Sequence, residues 1–269
     1  MSTQLSVSAD PGADAAGTVS AVVASLPVSF APAAESPDVV AVAGHAGWTV
    51  RAMDAIRGGA KGVVVSCPAA EDPAALSAAA SAAEAVVVLD RRWAGNVALD
   101  AANTTVRGVI NGALGNAVLV DSVAMAAPGT EPLHLLADQF AVLVQCGIEV
   151  RNVRMVQYNR NGYTVAAVLG DGIPVALQGI LTSVLPATAS LTILTAAGRA
   201  DLVLPDPAAA WPAEVRAVTA EGSTTLPTLY ESSHRSTWSR VHAHLTAGTA
   251  PDDLAQLATV LSLLSQLNR

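Results

Sequence analysis

The residues best placed to do chemistry in this chain are Cys67-Pro68 and Asp90-Arg91-Arg92, because each group closes a short apolar run. The runs, Val63 to Ser66 and Val86 to Leu89, are β-branched and show no polar alternation, as parallel strands covered on both faces do. Open parallel sheets take ligands beyond the carboxyl ends of their strands. A thiol, a carboxylate and two guanidiniums therefore fall where a ligand would bind. Arginine keeps its proton at any working pH and presents a planar fork, which makes it a good clamp for a carboxylate or phosphate and a poor proton shuttle. A salt bridge between Asp90 and either arginine is the plain structural alternative. Cys67 could be a nucleophile, yet no His or Asp is tied to it by motif, and a packed thiol is the simpler reading.

Other candidate groups are sparser. Gly44-His45-Ala46-Gly47 opens a helix after a strand and could receive an anion at its N-terminus, although the same spacing makes an ordinary tight turn. His242 and His244 lie two apart on a helix, point to different faces and make no metal pair, so no metal site is expected. Ser232-Ser233-His234 lacks the strand-turn-helix setting of a nucleophile elbow. Asp10-Pro11-Gly12-Ala13-Asp14-Ala15 follows the first strand, and its two carboxylates read as turn and cap residues.

The elements that must position these groups follow from patterning. Residues 5 to 9 read as a strand, 10 to 17 as a turn, 18 to 25 as a helix, 27 to 31 and 39 to 43 as strands, and 48 to 57 as a helix closed by Gly58-Gly59. Together with the strand-helix-strand unit of residues 62 to 96, this alternation predicts a doubly wound α/β layer. A helix over 106–111, stopped by Gly112 and Gly115, leads into a strand over 118–125. From residue 148 the texture changes. The β-prone segments 149–159, 163–169, 174–185, 190–195 and 200–204, separated by NRNG, GDG, LPATA and AAGR turns, predict an antiparallel meander. Helices over 236–246 and 252–267 close the chain, the second with apolar residues at 254, 257, 258, 261 and 264.

Composition narrows the function classes. The 269 residues are 52% apolar and 13% charged, which suits a folded globular protein with a sizeable core. The net charge of -8 comes from 22 acidic against 14 basic residues, and Lys61 is the only lysine; no basic field is available for a phosphate backbone, so nucleic acid is not an expected partner. No apolar run approaches the roughly 18 to 20 residues of a membrane span. The N-terminus lacks the basic start of a signal peptide and soon meets Asp10 and Asp14. Cys67 and Cys146 lie far apart with no CxxC, which fits a reducing compartment. A cytoplasmic protein is the expectation.

In their order these pieces resemble the glucose-fructose oxidoreductase and inositol dehydrogenase-like family. Residues 62 to 68 are similar to its strand ending in a Thr-Pro type of turn, and residues 85 to 96 to the strand that carries its Glu-Lys-Pro signature. Residues 106 to 123 are similar to its helix and Gly-x-x-Gly turn before the second domain, and residues 190 to 206 to its strand, Gly turn, strand hairpin. The closing helices keep the family's order, so the resemblance spans nearly the whole chain. It implies an α/β fold: a Rossmann-like, NAD(P)-binding-type domain over 1–104, then an α+β domain over 105–269 built on a large, open, mostly antiparallel sheet. It also implies an NAD(P) cofactor, a sugar-like or polyol substrate and homo-oligomerisation through the second sheet.

The resemblance assigns residues as well. Asp10 and Gly12 fall in the dinucleotide turn, with Cys67, Pro68 and Asp90 also facing the cofactor. Arg91 takes the place of the signature lysine, Arg92 stands beside it toward the substrate, and His134 with Asp138 lies near the second-domain histidine. Each assignment departs from the family pattern. In the Gly-x-Gly-x-x-Gly turn only Gly12 is a glycine, and two carboxylates stand where a pyrophosphate would lie. Like charges about 5 Å apart cost on the order of 3 kcal/mol at an effective dielectric of 20, roughly two decades of affinity. Arg91 replaces a proton shuttle with a fixed cation. The histidine position itself falls on Ala137, leaving His134 and Asp138 out of register, and only about 15 residues separate Arg91 from the Val106 helix. The expectation is a degenerate relative, non-catalytic or weakly catalytic, that binds a small polyol-like or anionic ligand with NAD(P) weak or absent. The alternatives are a working NAD(P)-dependent oxidoreductase in which Arg91 orients and His134 shuttles the proton, and a structural partner subunit of an active homologue.

Overall fold

Runs of valine and alanine too apolar to face water on either side build three strands of the first sheet, Val39–Ala43, Gly62–Ser66 and Val86–Asp90. In the computed structural model, which describes residues 4–33, 35–170, 172–209 and 211–267, strands β1 (Leu5–Ala9), β2 (Phe30–Pro32), β3 (Val39–Ala43), β4 (Gly62–Ser66) and β5 (Val86–Asp90) pair in parallel in the order β2-β1-β3-β4-β5. Every residue of β4 and β5 is buried, which is why neither run alternates. Chain order reverses between β1 and β3, the switch point at which such sheets bind ligands. Helices α1 (Pro11–Gly17), α2 (Val19–Ala24), α3 (Trp48–Arg57) and α4 (Ala74–Ala82) fill the crossovers. Residues 10 to 17, expected as a turn, are mostly helix α1. Asp10 caps it, Pro11 suits its first turn, and Thr18 at φ 48° breaks it from α2. The second strand starts three residues later than expected, because Ser29 and Phe30 donate back to the Leu26 carbonyl in a turn.

The second sheet is larger and mixed. Helix α5 (Thr104–Leu114) leads to β6 (Ala117–Ala126), and α6 (Pro132–Gln145) to β7 (Val150–Asn159), β8 (Gly162–Leu169), β9 (Pro174–Leu181), β10 (Thr188–Thr195), β11 (Gly198–Leu204), β12 (Glu214–Thr219) and β13 (Gly222–Thr225). The sheet order is β13-β12-β11-β10-β6-β9-β8-β7. The sequence reads these strands as a plain meander, but β6 enters between β9 and β10, parallel to the first and antiparallel to the second. Local turn signals mark hairpins and are blind to a strand inserted from 50 residues upstream. Of the expected GDG turn, Asp171 lies outside the described residues. Along β6 one face is buried and the other partly open, and α5 and α6 pack on the sheet. A closed polar chain crosses this core: the Tyr163 hydroxyl donates to Gln139 Oε1 (2.8 Å), Gln139 Nε2 to Ser122 Oγ (2.8 Å), and Ser122 Oγ to the Ser190 carbonyl (2.9 Å).

Two helices close the chain, α7 (Ser233–Ala247) and α8 (Asp253–Gln266). The chain forms two compact units, one of Met1–Gly95 with Ser233–Ala258 and one of Asn96–Ser232 with Thr259–Arg269. The first unit thus takes its last helix from far along the sequence. In its core Trp238 of α7 meets Phe30 edge-on at 5.2 Å, among Val7, Val39, Val64 and Val88. Among the described residues no helix is long and apolar enough to cross a membrane.

Candidate functional site at the carboxyl edge of the parallel sheet

The corner between β1 and α1 is where a doubly wound sheet offers free main-chain donors. Here the chain's own carboxylate takes them. Asp10 Oδ1 accepts from the Ala13 amide at 2.6 Å, and Asp10 Oδ2 accepts from the Ala43 amide at the end of β3, at 2.9 Å. One side chain thus ties the first turn of α1 to the neighbouring strand across the switch point. Gly12 leaves little more space, since a Cβ there would sit 3.0 Å from Ala43 Cβ and 3.3 Å from Asp10 Oδ1. Asp14 is engaged as well, accepting from the Ser20 amide at 2.6 Å.

The next two loops are closed in the same way. Glu71 accepts from the amides of Gly47 and Thr49 and from the Thr49 hydroxyl, capping α3 where the sequence suggested an anion site. Arg51 donates to the carbonyls of Ala43, His45 and Ala46 and so folds the Gly44 to Gly47 loop onto itself. Gly44 donates to the Ser66 carbonyl and accepts from the Ala69 amide. A Cβ on Gly44 would lie 2.4 to 2.5 Å from the Cys67 carbonyl group and Pro68 Cα, so only glycine lets these loops meet. Cys67 is exposed, sits at φ 53°, and its thiol lies 3.8 Å from the Ala16 carbonyl. Pro68 is half-buried beside it.

At the end of β5 lies a pair that motif reading overlooked. Asp90 is fully buried, and its Oδ2 is 2.8 Å from Nδ1 of His234, which is 3% exposed. The two are 144 residues apart and meet only because α7 returns to this sheet. No sequence motif joins them: Asp90 closes an apolar strand, and His234 follows Ser232-Ser233 without the strand-turn-helix setting of a nucleophile elbow. Ser66, its neighbour in register on β4, is also fully buried, and Gly17 fits against both: a Cβ there would be 2.5 Å from Ser66 Oγ and 3.0 Å from Asp90 Oδ2. The unbonded oxygen of Asp90 and the hydroxyls of Ser66, Ser233 and Thr237 have no hydrogen-bond partner among the described residues.

The two arginines differ in kind. Arg91 is 5% exposed, and its Nη2 donates to the Asp253 carbonyl at 3.0 Å, while Asp253 Oδ1 accepts from the Leu89 amide at 2.8 Å and Arg240 pairs with Oδ2. This cluster covers the outer edge of β5. Arg91 thus holds the first turn of α8 through Nη2. Asp90 does not pair with an arginine as the plain reading had it, because His234 holds it instead. Arg92 is half-buried, with its guanidinium 5.5 Å from the Trp93 ring centroid.

In the second unit, His134 and Asp138 lie on α6. His134 is exposed near the helix N-terminus, where its amide donates to the Glu131 cap at 3.0 Å. Asp138 is half-buried one turn further on. Burial pushes the Tyr163 hydroxyl well above its ordinary value, and the charge of Asp138 adds to the effect. Among the described residues no three His, Cys, Asp or Glu side chains gather to hold a metal.

At this corner, where such sheets receive a dinucleotide's diphosphate, the Ala13 and Ala43 amides are thus bonded to Asp10. The overall fold nonetheless matches proteins that carry such a nucleotide. A variant of KijD10, a 3-ketoreductase from Actinomadura kijaniata solved with NADP and TDP-benzene, superposes with a TM-score of 0.74 at 13% identity, over 99% of this chain and 97% of that one. The UDP-N-acetylglucosamine 3-dehydrogenase GnnA from Acidithiobacillus ferrooxidans superposes with a TM-score of 0.66 at 12% identity, over 98% and 96%. No family model and no curated protein matches the sequence. At these identities the likeness establishes the fold: a parallel Rossmann-like sheet followed by a mixed eight-stranded sheet.

Proposed function

We propose that this chain is a non-redox or weakly catalytic protein on the scaffold of NAD(P)-dependent sugar oxidoreductases, in which the dinucleotide corner has been closed by its own carboxylates. The observation that carries this reading is the double acceptance by Asp10 of the Ala13 and Ala43 amides. A diphosphate entering there would have to displace a bonded carboxylate and then tolerate its charge. Closure of the next loop by Glu71 and burial of Arg91 support the same reading. The ligand that remains compatible is small and polyol-like or anionic, with Arg92 as its contact, and the partly open face of the eight-stranded sheet serves self-association. Titration with NADH and NADPH, followed by nucleotide fluorescence and thermal shift, tests this. The expected result is no saturable response at millimolar nucleotide, and micromolar binding would overturn it.

A second reading, a working NAD(P)-dependent oxidoreductase, is favoured by the NADP present in the KijD10 structure of the same fold. It requires Asp10 to leave both amides, and the same titration decides between the two.

A further inference from the structure

The second unit carries a basic strip that the proposed function does not use. Among the described residues, Arg151, Arg154 and Arg160 are the basic side chains with no hydrogen-bond, ion-pair or ring partner, whereas the other arginines and Lys61 are all engaged. In a chain of net charge -8 these three fall together, on β7 and the turn after it. β7 is an edge strand, paired on one side by β8 alone. At Val153 its amide donates to Gln266 Oε1 of α8 at 3.2 Å. From Arg154 to Arg160 every residue but Met155 is exposed, including Val156 at 56% and Tyr158 at 48%. Arg154 on β7 and Arg160 in the turn after it thus bracket a stretch of backbone edge that carries a register shift between Met155 and Gln157, with exposed Val156 and with Tyr158, whose hydroxyl donates to Glu131 Oε1 at 3.0 Å.

We infer that this edge, Arg154 to Arg160, is a docking site for an extended peptide segment that adds a strand to the sheet and carries carboxylates about six residues apart. Backbone pairing supplies affinity in such additions and side chains supply specificity, while opposite charges across the new pair stabilise it and speed encounter. Charge selects the occupant. A second copy pairing antiparallel about Gln157 would set Arg154 against Arg160 at both ends, and like charges directly opposite destabilise a pair. In that register the arginines oppose self-pairing, and they favour an acidic strand.

Fluorescence anisotropy with a labelled, end-blocked peptide Glu-Thr-Val-Thr-Val-Thr-Glu tests the site on the full chain. Saturable binding is expected, weakened at least tenfold by R154E/R160E, and regained on that variant by a peptide with lysines at both ends. R154Q/R160Q is the second variant should the charge reversal fail to fold. Methylating alternate amides of the peptide should abolish binding. The inference is overturned by absence of saturable binding up to millimolar peptide, by equal binding of a glutamine-ended peptide, or by equal binding of the methylated one. A single-stranded oligonucleotide of the same charge binding more tightly would assign the strip to polyanions and likewise overturn it.

Discussion

Replacing Asp10 by alanine removes two hydrogen bonds with one change, and the size of the loss can be worked from the geometry. The bond from the Ala13 amide is an N-cap, worth about 1 kcal/mol. The bond from the Ala43 amide ties α1 to β3 and joins a charged acceptor to a part-buried donor, for roughly 1 kcal/mol more. Asp10→Ala should therefore cost about 2 kcal/mol, whereas Asp10→Asn keeps one acceptor oxygen and should cost about half as much. At roughly 2 to 4 °C per kcal/mol for a chain of this size, the alanine variant should melt about 4 to 8 °C lower. Urea unfolding followed by circular dichroism gives the same quantity as a shifted midpoint at unchanged slope. An alanine variant within about 0.5 kcal/mol of the parent would refute the reasoning, because the two amides would then not depend on Asp10 and would be open to another anion.

Two further outcomes follow from groups nearby. Asp38 accepts from the amide and hydroxyl of Ser6 and from Lys61; chiefly the Ser6 amide, then Lys61, hold its carboxyl at about 2 against an ordinary 3.8. A depressed folded value contributes stability above the unfolded one and loses it as pH falls, so Asp38→Asn should cost about 1 to 2 kcal/mol at neutral pH after allowance for solvent screening. Its gap to the parent should close between pH 4 and pH 2; a gap constant over that range in urea titrations contradicts the assignment. His234→Ala should cost about 3 kcal/mol or more, because it strands the fully buried Asp90 carboxylate. His234→Gln, which can still donate, should cost less, and a loss under about 1 kcal/mol for the alanine variant would show that Asp90 finds another partner.

Three strands of the first sheet were legible because a buried parallel strand has a signature of its own: β3, β4 and β5 lie where the valine runs put them. α1 was misjudged as a turn because Pro11, Gly12 and Asp14 are turn formers and also residues of a capped first helical turn. In the second sheet each hairpin was readable from its turn, but the place of β6 was not, since pairing between β6 and β9 depends on nothing local. The same limit governs the site. The two carboxylates at the turn were visible in its composition, although not that Asp10 would bond both the Ala13 amide and the Ala43 amide on the neighbouring strand. The partner of Arg91 on α8 is 162 residues away and His234 reaches Asp90 across 144 residues, so neither contact is readable from local sequence.

The account turns on whether the corner at Asp10 is closed to a dinucleotide. Isothermal calorimetry with NADPH on the purified chain, followed by crystals grown at millimolar NADPH, tests that most directly. The account predicts no measurable heat of binding and Asp10 still joined to the Ala13 and Ala43 amides. A micromolar dissociation constant, with the diphosphate seated on those two amides and Asp10 turned away, would contradict it.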